Sequence, residues 1–223
     1  MSKKAERGRI VEIQLGFFES IIDILYLEPL FIFGLVLVGL SLYLITRKDK
    51  KLVKLRIVVG SILMYYYLCI VLKNIVGIPT LNELIRLARL DETFINPNIS
   101  LIPLSNGVSL EFILNIFCFI PLGFLCPLIS GTYEQMKKVV WLGLGLSLTI
   151  EISQLFILYR ATDINDLIAN VFGTIIGYFC FKLFVKLGVM SFYSKHSSFL
   201  ENDPTRLMPI LFVIFAFVIT FIS

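Results

Sequence analysis

The chain has 223 residues, of which 57% are hydrophobic and only 16% charged. Mean hydropathy is +0.89, whereas soluble domains carry about 25% charged residues, so an ordinary soluble domain is excluded. The net charge of +4 is no nucleic-acid signal, because the basic residues lie in loops between apolar runs, where membrane topology accounts for them.

Residues 1–9 form a basic tail. Over 10–27, Glu12, Glu19, Asp23 and Tyr26 mark one polar stripe, and Ile13, Phe17, Ile21, Ile24 and Leu25 lie on another face. Such an amphipathic helix more often lies in the membrane interface than crosses it. The first predicted span is 29–46, with proline tolerated in its first turn. A dense basic loop follows, Arg47 to Arg56, and then a second span over 57–77 containing Tyr65, Tyr66 and Tyr67. The segment 78–108 is mixed, with a short surface helix predicted over 81–90. The third span, 109–133, contains Pro121 and Pro127, which predict a kinked or broken helix. The fourth and fifth spans are 138–159 and 164–187. His196, the single histidine, lies in a loop, and a sixth span covers 207–223. The expected fold is all-α: a polytopic transmembrane bundle of about six spans plus the N-terminal amphipathic helix. It divides into 1–56, a membrane domain over 57–187, and 188–223. Cys69, Cys118, Cys126 and Cys180 fall within apolar runs and read as small hydrophobes, not a disulfide framework.

With six spans, the loops alternate sides. Loops 47–56, 131–138 and 182–206 hold twelve Lys and Arg, and loops 73–111 and 160–166 hold four. The positive-inside rule puts the first set in the cytoplasm and the second outside.

The most informative stretch is 151–177. Ionisable and polar groups in an apolar chain are costly at membrane depth and mark function by default. Glu151 and Gln154 share one face of the fourth helix. Asp163, Asp166, Asn170, Gly173 and Gly177 form one stripe down the fifth. At about 1.5 Å per residue, Glu151 is expected about 12 Å below the outer end, and Asn170 and Asn115 about 9 Å. Three helices then bring polar groups to one depth, below Arg160, Asp163 and Asp166, in a pocket open to the outer leaflet. A plainer reading stands beside it. Arg160 with either aspartate forms a hairpin salt bridge, Asp163 suits a helix N-cap, and Asn115 and Gln154 serve as interhelical hydrogen-bond glue. Gly173 and Gly177 suit close packing within one bundle, or a dimer face.

The run Asn115, Phe119, Pro121, Gly123 resembles the N-x3-F-x-P-x-G signature of the VanZ-like family. Glu151, Gln154, Arg160, Asp163, Asp166, Asn170, Gly173 and Gly177 resemble its second signature. The stretch 98–104, Asn-Ile-Ser-Leu-Ile-Pro-Leu, is similar to the N-L-I-P-F stretch before the first, with Leu104 in place of the usual Phe. The likeness covers roughly residues 60–187. It implies a bacterial multi-pass protein of the cell membrane, related to one associated with low-level resistance to the glycopeptide antibiotic teicoplanin. Teicoplanin is lipidated and acts outside the membrane, so the likeness implies a lipidated or lipid-linked cell-envelope ligand. It assigns no catalytic residue, and no cofactor or metal is expected.

Three functions compete. In the first, the pocket binds an amphiphilic ligand: Arg160 holds a carboxylate or phosphate, and Asn115, Glu151 and Asn170 orient its neutral polar groups. In the second, a membrane-embedded hydrolase or transferase uses Glu151 as general acid or base, with Asp163 and Asp166 on a divalent cation. The third is a proton- or ion-coupled lipid transporter, for which no inverted repeat is visible. Oligomeric state is not legible.

Overall fold

The computed structural model describes residues 29–46, 51–90, 99–100, 102–103, 107–157, 162–189 and 203–223, together with Glu19, Ile22 and Tyr26. The amphipathic helix expected over 10–27 falls outside the described residues except for those three, and so do Arg160 and His196.

The elements in chain order are α1 (Pro29–Thr46), α2 (Lys51–Ile70), α3 (Leu81–Arg89), β1 (Ile99–Ser100), α4 (Leu110–Ile129), α5 (Met136–Gln154), β2 (Thr162–Asp163), α6 (Ile164–Lys186) and α7 (Met208–Ile222). The described residues are all-helical in class, apart from the two-residue strands. Among the described residues, three helical runs are long and apolar enough to cross a membrane: Leu55–Ile75, Leu110–Ile129 and Ile164–Lys186. Helix α1 and helix α7 are apolar but shorter, and α5 carries Lys137, Lys138 and Glu151.

Local chemistry sets several boundaries. Helix α2 begins inside the stretch read as a basic loop and ends in one π-helical turn, Val71–Ile75. Ser109 caps α4, its hydroxyl accepting from the Phe112 amide at 3.1 Å. The α4 helix runs on through both Pro121 and Pro127. Pro121 takes the usual partner from the Phe117 carbonyl, and one residue further on the Tyr67 hydroxyl donates to the Cys118 carbonyl at 2.6 Å. Tyr65, fully buried, donates to the Phe31 carbonyl at 3.1 Å and ties α2 to α1. The two tyrosines thus serve different neighbours.

The tightest packing is α4 against α6. Within lipid the hydrophobic effect does little to join helices, so close backbone approach matters more. A Cβ on Gly173 would fall on the Ile116 carbonyl, one on Gly177 on the Ile120 carbonyl, and one on Gly123 on the Thr174 carbonyl. Both partner numbers rise together, so α4 and α6 run parallel. Helix α5 crosses them antiparallel: Gly143 meets Thr174, and Ser147 meets Asn170. Gly173 and Gly177 are therefore occupied within one chain.

At the far end of the bundle, Asp203 gathers two segments. Its Oδ2 accepts from Ser130 Oγ at 2.7 Å, Thr132 Oγ1 at 3.0 Å and the Thr132 amide at 3.2 Å. Its Oδ1 accepts from Thr205 Oγ1 at 2.6 Å and the Thr205 amide at 2.9 Å. Burial pushes this carboxyl up, but the hydrogen bonds from Thr205, Ser130 and Thr132 outweigh it and hold it below the ordinary carboxylate range.

Two outcomes follow for stability. Gly177→Ala forces a backbone shift and should cost about 1–3 kcal/mol, as overpacking does. Gly145→Ala, where an added Cβ meets nothing, should leave thermal unfolding in detergent unchanged. Asp203 has a depressed folded pKa, so its stabilisation is present above the unfolded carboxylate value and is lost as pH falls through the folded one. Asp203→Asn should lower stability at neutral pH and flatten the acid limb of a stability-versus-pH curve.

Candidate functional site

The site lies where the N-terminal ends of α4 and α6 meet the C-terminal end of α5. Asn115, just inside α4, donates from Nδ2 to Asp166 Oδ1 at 2.7 Å. Asp166 stands in the first turn of α6. The α5–α6 contacts are Gly143 with Thr174 and Ser147 with Asn170, and one further turn along this antiparallel register pairs position 151 with position 166. Glu151 Oε2 accepts the Asp163 amide at 3.1 Å, and the Glu151 carbonyl accepts from Thr162 Oγ1 at 3.1 Å.

The depth expected for Glu151 needs correction. Helix α5 stops at Gln154, not 159, and a turn of i to i+3 hydrogen bonds follows at Leu155, Phe156 and Ile157. Glu151 is thus about 4.5 Å from the helix end. It is nonetheless only 4% exposed, because β2 folds back over it. Burial here comes from a protein cover. Asn170 lies one turn deeper, 3% exposed, with Nδ2 on Ser147 Oγ at 2.9 Å. Its carbonyl accepts from Thr174 Oγ1 at 2.9 Å. The equal depth expected of Asn115, Glu151 and Asn170 is therefore two levels: Asn115, Asp166 and Glu151 above, Asn170 and Ser147 below.

Two buried amide oxygens near the junction have no hydrogen-bond partner among the described residues, Gln154 Oε1 and Asn170 Oδ1; Ser61 Oγ on α2 is a third such oxygen, away from it. An orphaned buried polar atom is costly and marks a place for water or ligand. Asp163, by contrast, is occupied as a helix cap: its Oδ1 accepts the Asn165 amide at 2.9 Å and its Oδ2 the Asn165 side chain at 3.2 Å. Among the described residues, no three His, Cys, Asp or Glu come together in a way that could hold a metal.

The cover has a second strand that sequence reading did not find. Strand β1 pairs parallel with β2, Ile99 with Thr162 and Ser100 with Asp163. Ile99 and Ser100 of the 98–104 motif are thereby brought to the site. Ser147 was also missed, although it lies four residues before Glu151 on the Glu151–Gln154 face; extending that stripe one turn inward finds it.

An all-helical fold with apolar runs of spanning length and a buried polar junction between three helix ends defines a helical membrane protein. The chain belongs to the VanZ-like family: the VanZ/LLP1 family model matches residues 61–187, more than half of its length. Neither a search of curated proteins nor one of solved structures returned a match. The matched region takes in every residue of the junction from Asn115 to Gly177.

A double-mutant cycle on Asn115→Ala and Asp166→Ala tests the link between α4 and α6. A charge-assisted bond predicts a coupling of about 1 kcal/mol or more in thermal unfolding; additive effects would show that the pair does not couple.

Proposed function

We propose that the protein is a multi-pass protein of the cell membrane whose junction faces outward and holds the polar part of an amphiphilic or lipid-linked cell-envelope ligand. Six crossings put the α5–α6 turn outside, on the side poor in Lys and Arg. The observation that carries the reading is a pair of buried amide oxygens without a partner among the described residues, Gln154 Oε1 and Asn170 Oδ1, on the helices that carry buried Glu151 and Asp166. These oxygens call for donors such as hydroxyls or amides, which sugar and peptide headgroups bring. Arg160 follows α5 by six residues and precedes the Asp163 cap by three in sequence, and a guanidinium suits a carboxylate or phosphate. The apolar helix faces around the junction accept an acyl chain. Family membership supports a role in glycopeptide resistance, with lipidated teicoplanin or its lipid-linked target as ligand.

A membrane-embedded hydrolase or transferase is the second reading, favoured by one observation: Glu151 is buried and holds the Asp163 amide. It would act there as general acid or base. The divalent cation that this second reading would put on Asp163 and Asp166 has less to support it, since Asp163 caps α6 and Asp166 accepts from Asn115.

Expression of the protein in a susceptible strain should raise the inhibitory concentration of teicoplanin several-fold and leave that of vancomycin, which lacks the acyl chain, nearly unchanged. Glu151→Gln and Arg160→Lys should each remove the rise. An unchanged teicoplanin response for the wild-type protein would discard the antibiotic role, and loss in Glu151→Gln alone would favour proton chemistry over charge pairing.

A further inference from the structure

Helix α3 has a feature that a simple loop helix lacks. Thr80 caps it, accepting the Glu83 amide at 3.3 Å, and its residues sort into three faces. At about 100° per residue, Leu84 and Leu87 face the protein, with Leu87 2% exposed. Leu81, Ile85 and Ala88 form a second apolar strip beside them, and all three are exposed. Asn82, Arg86 and Arg89 form the polar side. The two apolar strips adjoin, and among the described residues only one of them is packed inside the molecule.

The level of the helix in the bundle is fixed from both sides. It begins six residues after Ile75, where the apolar run Leu55–Ile75 ends. Asn82 donates to the Ser223 carbonyl at 3.4 Å, one residue beyond the end of apolar helix α7. The exposed strip therefore lies where two apolar helices run out, at the level of a bilayer boundary. The polar side bears Asn82, Arg86 and Arg89, with Glu83 at its edge towards Leu87. Arg86 Nη2 is 3.9 Å from Glu83 Oε1, a distant surface contact, and a shallow open cleft is lined by Asn82, Glu83 and Arg86. Long arginine stems lie along apolar surface while their heads reach outward.

We propose that α3 lies in the membrane–water interface, with Leu81, Ile85 and Ala88 turned into the upper acyl region and Arg86 and Arg89 paired with lipid phosphates. The occupant of the exposed strip is the phospholipid surface itself. This follows the pattern of short interfacial helices, whose apolar face sinks about 5–10 Å below the headgroups. It places a fixed lipid contact at the same end of the bundle as the Asn115–Glu151 junction, and it stands or falls apart from the ligand reading of that junction.

The chain has one tryptophan, Trp141, so Trp141→Phe gives a clean background for reporters in phosphatidylcholine liposomes. Ile85→Trp should be quenched about twofold more by lipid brominated close to the headgroup than by lipid brominated at the chain end. Arg86→Trp, about 100° around the helix, should respond to aqueous acrylamide and to neither lipid. Adding Arg86→Gln and Arg89→Gln to the Ile85 reporter should bring the shallow-to-deep ratio towards one, with thermal unfolding unchanged. Quenching of Ile85→Trp by acrylamide alone would overturn the interfacial placement. Strongest quenching by the chain-end bromine would do the same. Shielding from lipid and acrylamide together would assign the strip to a protein partner or a second copy. A ratio indifferent to both Arg→Gln changes would overturn the phosphate role.

Discussion

Everything at the junction depends on the α6 backbone resting against α4 without side chains between them. Gly173 and Gly177 abut the Ile116 and Ile120 carbonyls, and Gly123 abuts Thr174. Parallel neighbours are normally held apart by their side chains, and a polar group on one then reaches the other poorly. Here the helices are close enough for the short side chain of Asn115 to reach Asp166 at 2.7 Å. The same contact fixes their register, and Thr174, on the adjoining face of α6, sets that of α5 through Gly143. Position of the polar groups is thus a result of glycine placement more than of the polar groups' own attraction.

The second constraint is hydrogen-bond supply. A helix that ends inside an apolar bundle leaves carbonyls without partners, and α5 ends early, beside Glu151. The turn at Leu155, Phe156 and Ile157 and the Thr162 hydroxyl take up part of that demand. Strand pairing with Ile99 and Ser100 then holds the returning chain in place. The result is a buried carboxylate close to the end of its helix, covered by backbone. At the far end Asp203 does related work with five hydrogen bonds, tying the α4–α5 turn to the segment before α7.

Apolar run length and helical spacing made most helices legible. Helix α1 occupies the run expected for it, and α4, α6 and α7 start or end within a few residues of expectation. The stripes on α5 and α6 were legible because period and burial agree. The end of α5 was not, since Leu155, Phe156, Ile157, Leu158 and Tyr159 continue its apolar run with no glycine or proline to stop it. The β1–β2 pair was invisible for another reason: two residues pair across more than sixty in sequence, and no local pattern encodes that. Asp203 lay in a polar loop and carried no spacing signal, although Ser130 and Thr132 are spaced to converge on one acceptor.

The parallel course of α4 and α6 also has an electrical meaning. Each helix adds roughly half a positive charge at its N-terminus, and both N-termini open on the same junction. Asp163 and Asp166 stand in the cap and first turn of α6, and Asp166 also accepts from Asn115 of α4. The C-terminal end of α5, which meets them there, offsets about one of these half-charges, so the net field of the three ends still favours negative charge beside α4 and α6. The acids of the α6 cap and first turn therefore stand where helix direction stabilises them.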